Sequence, residues 1–340
     1  MKPSTRLSVH LVEKNILMVD KLYNFRPILL IIIIPILFSC ASTQQKQSES
    51  RDVDFYFNRG TAYNDKGQYD RAISDYTKAI EIDPKLAMAY YNRGNVYANK
   101  EQYDQAIADY TKVLEFNPGD AEAYNNRGDA YHHKGQYDLA ISDYNKALEI
   151  NPRGTLIYRN RGIAYAKKRQ YDLAISDYNK ALEINPGDAE TYYNRGNAYH
   201  HKGQYDLAIS DYNKALEINP RFAEAYNNRG WVYSLKQQYD RAISNYNKAL
   251  EINPRYTLAY TNRGTAYAKK HQYDLAISDY NKALEINPYL RLLYYNRAKA
   301  YYSKGKYDKS WEDVTKAEEL CFQIPGDFLD DLRKASGKQN

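Results

Sequence analysis

The tripeptide Asn-Arg-Gly recurs at a fixed step of 34 residues, and no other feature constrains the fold of this chain as tightly. It stands at Asn58-Arg59-Gly60 and returns at Asn92, Asn126, Asn160, Asn194, Asn228 and Asn262, then once more as Asn296-Arg297-Ala298. A strict period of this length means stacked copies of one supersecondary unit, each burying its apolar face against the next. With Val53 as position one, Tyr fills positions four, eleven and seventeen in all eight copies and position twenty-four in seven. Ala holds position twenty in all but the last copy, and Pro closes seven copies at position thirty-two, from Pro84 to Pro288. Thirty-one of the 38 Tyr occupy those four fixed positions, so the aromatic content of 14% is architectural.

Positions four, eight and eleven fall within roughly 60° of one another on a helix, so they form one stripe. Gly at position eight of that stripe costs about 1 kcal/mol of helix propensity, and close approach of a neighbouring helix is the expected compensation. A second apolar stripe runs through Ala72, Ile73, Tyr76, Ala79 and Ile80, again at helical spacing. Lys66-Gly67-Gln68 supplies a turn between the stripes, and Asp70 falls where the dipole of a second helix favours an anion. Asp83-Pro84 ends that helix, since Pro disfavours helical geometry in the residue before it. Each unit is therefore expected to be two antiparallel helices.

The aromatic at four, Gly at eight, Tyr at eleven, Ala at twenty, Tyr at twenty-four and Pro at thirty-two resemble the tetratricopeptide repeat. The resemblance implies an all-α, right-handed superhelical solenoid of eight helix-turn-helix units over residues 53–324. The last unit departs from the pattern, with Ala298, Trp311, Val314 and Phe322 at framework positions, as terminal repeats do. Residues 325–340 are expected to supply a capping helix, with Phe328, Leu329 and Leu332 on one side, and a tail.

Residues 28–38 form an uncharged apolar run of eleven, with Lys21 and Arg26 ahead of it. About 20 residues are needed to span a bilayer, so this run has the length of a signal-peptide core. Leu37-Phe38-Ser39-Cys40 resembles the lipobox of bacterial lipoproteins. The resemblance implies a signal peptide over 1–39, with Met18 as an alternative start, and a Cys40 that carries lipid such as palmitate. Residues 40–52 would then be the lipidated cysteine and a flexible polar tether. The implied location is the bacterial cell envelope, on the outer membrane or periplasmic face, with membrane contact through the N-terminal lipid. An uncleaved membrane anchor is the alternative.

The net charge of +6 divides evenly: the first 39 residues hold five Lys or Arg against two acids, leaving 43 bases against 40 acids. The remainder is well mixed, which excludes the clustered basic face of a nucleic-acid binder. Only Cys40 and Cys321 occur, so no disulfide framework is implied, and Cys321 is expected as a small packed hydrophobe. Eight units of 34 leave too few residues for a catalytic domain, and no cofactor, metal or small-molecule substrate is expected. The pairs His132-His133 and His200-His201 lie two units apart, too far to share one ion. Residues 130–153 recur unchanged as 198–221, so these histidines read as exposed residues copied by duplication.

Positions two, five, nine, twelve and thirteen vary between copies and cluster roughly 140° from the Tyr-Gly-Tyr stripe on a helical wheel. Tyr91, Arg159, Ile163, Tyr193 and Trp231 stand on this face. In the resembled family it lines the concave groove where peptides bind, and a drifting neutral surface is the bland alternative. Asn occupies position six in all eight copies: Asn58, Asn92, Asn126, Asn160, Asn194, Asn228, Asn262 and Asn296. One carboxamide offers donor and acceptor and so matches a peptide amide. A ladder of them suits an extended polypeptide, as in the superhelical arm of O-linked N-acetylglucosamine transferase. A hydrogen bond to the neighbouring unit is the competing role. Position five holds no Lys, so the dicarboxylate clamp of chaperone-binding relatives is not reproduced. Arg at position seven is expected to pair with an acid of a neighbouring helix. The expected function is a protein- or peptide-binding adaptor or scaffold, not an enzyme; the rival is a self-associating structural component of the envelope.

Overall fold

The computed structural model describes residues 50–337. The leader, Cys40 and most of the tether lie outside the described residues. Residues 50–52, assigned above to the tether, are helical and extend the first helix. Seventeen helices and no strand are present among the described residues, and none of those helices is long and apolar enough to cross a membrane.

The chain divides into two compact units, one ending at Ala130 and the other beginning at Tyr131. The first holds α1 (50–65), α2 (Tyr69–Ile82), α3 (Ala87–Asn99), α4 (Tyr103–Phe116) and the body of α5 (Ala121–His133). The second holds α6 (Tyr137–Ile150), α7 (Thr155–Lys167), α8 (Tyr171–Ile184), α9 (Ala189–His201) and α10 (Tyr205–Ile218). It continues through α11 (Ala223–Leu235), α12 (Tyr239–Ile252), α13 (Thr257–Lys269), α14 (Tyr273–Ile286), α15 (Arg291–Ser303), α16 (Tyr307–Glu319) and α17 (Gly326–Ser336). Within the second unit each odd-numbered helix packs on its even-numbered successor, and each even-numbered helix packs on the first helix of the next repeat. First helices also touch one another: α7 meets α9, α9 meets α11, α11 meets α13, and α13 meets α15.

The core follows from the second-helix stripe. Ala72, Ala106, Ala174 and Ala208 at position twenty are completely buried, as are Ala79, Ala181 and Ala215 at position twenty-seven. Small side chains at both crossings let the backbones approach to interior packing density. Between the helices of a repeat the chain turns through a left-handed residue at position fifteen. Gly67, Gly135, Gly203 and Gly305 fill it with φ between 68 and 73°, whereas Glu101, Arg169, Gln237 and His271 fill it with φ between 58 and 60°. Glycine is the residue that takes this geometry without a Cβ penalty. Six lysines at position fourteen, among them Lys100 and Lys202, each bind the Asp at position eighteen of the preceding repeat.

The C-terminal helix α17 closes the stack. Phe328 and Leu332 are buried against repeat eight, and Trp311 donates its indole N–H to Ser336 Oγ at 3.0 Å. Cys321 departs from expectation. It is exposed, with φ of 60°, because it occupies the left-handed position that follows α16 and its side chain points away from the core.

Candidate functional site

The recurrent tripeptide has three separable structural roles. Its Gly makes room for a ring. A Cβ on Gly162 would lie 2.6 Å from Tyr178 Cε1, and one on Gly264 would lie 2.7 Å from Tyr280 Cε1. The expected close approach is thus real, but the group that approaches is the buried Tyr at position twenty-four of the same repeat. Repeat eight changes both partners together, to Ala298 and Val314, and both are buried there.

The Arg is a three-way tie. Arg195 donates from Nε to Asp211 Oδ2 and from Nη2 to Asp211 Oδ1, both at 2.7 Å, within its own repeat. Its Nη1 reaches Asn179 Oδ1 of the preceding repeat at 2.6 Å, and the guanidinium lies 5.4 Å above the Tyr192 ring. Arg93, Arg161, Arg263 and Arg297 repeat the arrangement. The expected pairing with an acid of a neighbouring helix is therefore found, and a bidentate fork is the strongest form it could take.

The Asn at position six is divided between two fates, and at Asn126, Asn228 and Asn262 it is taken up by residues at position five or nine of the preceding repeat. Asn126 Nδ2 donates to Tyr91 Oη at 3.1 Å and to Asn95 Oδ1 at 3.2 Å, while its Oδ1 accepts from Asn125. The same set recurs with Asn228, which donates to Tyr193 Oη and Asn197 Oδ1 and accepts from Asn227. Asn262 donates to Asn227 Oδ1 at 3.0 Å. The competing role, a hydrogen bond to the neighbouring unit, is therefore present at Asn126, Asn228 and Asn262, and the hydroxyls of Tyr91 and Tyr193 take part in it. Arg159 is engaged as well, with Asp188, which caps α9, at 3.1 Å and with Glu190 of the next repeat at 2.9 Å. Asn92 bonds to Tyr76, and Asn160 also has an interaction partner. Asn58, Asn194 and Asn296 make no side-chain hydrogen bond among the described residues. For Asn194 the reason is visible: the preceding repeat offers Ile163 at position nine, which has no acceptor.

Position nine also serves the buried Tyr of its own repeat. Tyr76 Oη donates to Thr61 Oγ1 at 3.1 Å, and the hydroxyls of Tyr110 and Tyr212 donate to Asn95 and Asn197 Oδ1, both at 2.7 Å. In repeat six that position is Trp231, and the buried Tyr246 hydroxyl has no partner. A buried donor without an acceptor costs about 1–3 kcal/mol, and a satisfied one contributes about 1 kcal/mol. Tyr246→Phe is therefore expected to be neutral or to stabilise by about 1 kcal/mol, whereas Tyr212→Phe loses about that amount. Urea midpoints of the two variants measure the contrast.

Ile163 is half-buried, while Trp231 is 39% exposed and Leu235, one turn further on α11, is 41% exposed. Two pockets open on the first helices of repeats seven and eight. One, of about 440 Å³, is walled by Leu258, Thr261, Leu290, Leu292 and Asn296. The other, of about 360 Å³, includes Thr265, Lys269, His271, Asn296, Lys299 and Ser303. Sequence reasoning passed over these lysines, although position nine is Lys only in repeat eight.

The histidines correct a further expectation. His133 and His201 are exposed, but His132 Nε2 and His200 Nδ1 are buried without a partner. Among the described residues no cluster of three potential metal ligands occurs. Burial holds both imidazoles below their ordinary value of 6.5, helped by His133 and Lys167 at His132 and by His201 at His200. The fold favours the neutral ring, so the stability it contributes is complete above about pH 6.5 and is lost as the pH falls below that. His132→Ala with His200→Ala, copying Ala98 and Ala166 of other repeats, is expected to flatten the fall in stability between about pH 7 and pH 5. Thermal unfolding across that range is the measurement.

A tetratricopeptide repeat model matches residues 87–120, 121–153, 189–222, 223–256 and 257–290. A TPR repeat model matches 60–101 and 164–203, and a further tetratricopeptide repeat model matches 293–323. A tetratricopeptide repeat protein from Parabacteroides merdae is 22% identical over 70% of this chain and 94% of its own, with a TM-score of 0.59. The pilF protein of Pseudomonas aeruginosa is 19% identical over 65% of this chain and 99% of its own, with a TM-score of 0.55. Both likenesses are of fold. YrrB, described as a TPR protein with an unusual peptide-binding site, is 30% identical over 57% of this chain and 97% of its own, with a TM-score of 0.46. The comparison with curated proteins found no match.

Proposed function

Because the chain belongs to the tetratricopeptide repeat family, we propose that it is a protein-interaction scaffold that holds extended polypeptide along its first helices. It acts by binding and not by catalysis. One observation carries this reading: apolar walls and an uncommitted carboxamide meet in the pocket of Leu258, Leu292 and Asn296, in a molecule whose other position-six amides are largely committed. An amide that offers donor and acceptor beside apolar anchors suits a peptide backbone with side chains on either side. Capture of a defined pool of synthetic peptides by the purified chain tests it. Asn194→Ala with Asn296→Ala should weaken capture by about tenfold, a 1.4 kcal/mol effect, with helical content unchanged. Undiminished capture would remove Asn194 and Asn296 from the ladder.

The proposal extends to a lipid tether at Cys40 in the bacterial cell envelope, supported by the apolar run over 28–38 and the Leu-Phe-Ser-Cys sequence. Labelled palmitate should enter the wild type and not Cys40→Ala; label in both refutes the tether. Self-association is a second reading, favoured by four exposed leucines at position nineteen: Leu139, Leu173, Leu207 and Leu275. Light scattering across concentration separates the two, since a persistent monomer excludes it.

A further inference from the structure

Repeat six breaks the polar pattern of the first helices twice, and both breaks face outward. Position nine accepts the buried Tyr hydroxyl in repeats one, two, five and seven, through Thr61, Asn95, Asn197 and Thr265. Trp231 abandons that bond and leaves Tyr246 Oη buried without a partner. Position thirteen is Asp, Asn, His, Lys or Ser in every other repeat, and Leu235 replaces it here. The two substitutions stand four residues apart on α11, the spacing at which helical side chains meet. Rule-breaking at the expense of the fold is the mark of a position kept for function.

The next two first helices supply the complementary half. Lys269 and Lys299 line the pocket of about 360 Å³ with Asn296, and no Asp or Glu lines it. Neither lysine forms an ion pair among the described residues, in contrast with the six position-fourteen lysines. Asn296 likewise has its donors unspent. Two cations and an amide donor converging without an internal anion fit a carboxylate. No arginine lines the pocket, so the planar fork that recognises phosphate bidentately is absent. The lysines sit at positions thirteen and nine, which sets this pocket apart from the clamp that uses position five.

We infer that repeats six to eight form one binding site for a polypeptide segment that combines an apolar side chain with a carboxylate. The apolar group rests on Trp231 and Leu235, and the carboxylate enters the pocket between Lys269, Lys299 and Asn296. This rests on the polypeptide-binding reading above and names its side-chain chemistry.

The full chain carrying Trp311→Phe leaves Trp231 as its one indole. It is titrated with three glycine-spaced synthetic peptides bearing leucine with glutamate, leucine with lysine, or serine with glutamate. Indole fluorescence and the anisotropy of labelled peptide are followed. The leucine–glutamate peptide should bind at least about tenfold more tightly than either of the others. Lys269→Ala with Lys299→Ala should erase the preference for glutamate over lysine, and Trp231→Ala the preference for leucine over serine. The lysines have no ion pair to lose, and Lys299 gives up only its place 5.4 Å above the Tyr295 ring, so those variants keep the fold. Equal binding of the glutamate and lysine peptides, or binding indifferent to both sets of variants, overturns the inference. If the chain captures peptides from the pool while showing that indifference, this inference fails alone; if it captures none, the scaffold reading fails with it.

Discussion

Arg195→Ala is expected to destabilise the second unit by about 3–5 kcal/mol, whereas Asp211→Asn should cost far less. The asymmetry comes from what each change leaves behind. Without Arg195, the Asp211 carboxylate remains 5% exposed with no cation to face, and Asn179 of the preceding repeat loses its donor. An uncompensated buried charge is among the costliest defects a fold can carry. The chain itself contains the milder replacement. In repeat six Arg229 donates to Asn245 Oδ1 at 2.8 Å, and the Asn245 amide donates onward to Arg241 O. Burial holds Arg229 below its ordinary pKa, while at Arg195 the lowering by burial is more than offset by the Asp211 hydrogen bond and charge. Urea unfolding gives the global loss, and hydrogen exchange in α9 and α10 should show the weakening centred there, because repeats contact only their neighbours.

Gly162→Ala is the second large effect. Its new methyl would stand 2.6 Å from Cε1 and 2.9 Å from Cδ1 of Tyr178, a ring that is itself buried. Overpacking of this kind costs about 3 kcal/mol, against about 1 kcal/mol recovered in helix propensity, for a net loss of about 2 kcal/mol. Gly60→Ala, where the nearest ring atom is 3.0 Å away, should cost less. Tyr178→Val alone opens a cavity worth about 3 kcal/mol. Together with Gly162→Ala it recreates the pair found at Ala298 and Val314, so the double variant should lose about 1–3 kcal/mol less than the sum. Strict additivity in denaturant midpoints would show that glycine and ring are not coupled.

Much of this architecture was legible in the sequence because it repeats along the chain. Turn positions, the Asp83-Pro84 stop, the two apolar stripes and the capping segment all follow from local periodicity. What the ring at position twenty-four does to Gly was legible in part, since Ala298 and Val314 change together. The Asn ladder was harder. Asn126 meets Tyr91 and Asn95 only across the stack of one repeat on another, a register that no helical wheel contains. A signal was nonetheless present: Tyr at five and Asn at nine precede Asn-Asn in the next repeat twice, as Tyr91 and Asn95 before Asn125-Asn126 and as Tyr193 and Asn197 before Asn227-Asn228. Variation at position five was therefore partly the record of inter-repeat pairing and not of a ligand surface. His132 and His200 were misjudged for a related reason: polarity suggested exposure, yet packing beside Tyr137 and Tyr205 buries one nitrogen of each ring.

Trp231, Leu235, Lys269, Asn296 and Lys299, none of them in a side-chain hydrogen bond or ion pair among the described residues, lie on the first helices of repeats six to eight. A photo-crosslinking residue placed at Leu235 on α11, and separately at Leu207 on the second helix of repeat five, tests this most directly in the native cell. Both positions are exposed, at 41% and 49%, so reach alone does not favour either. Polypeptide adducts from Leu235 with none above background from Leu207 are the expected result; adducts from Leu207 that equal or exceed those from Leu235 would contradict it.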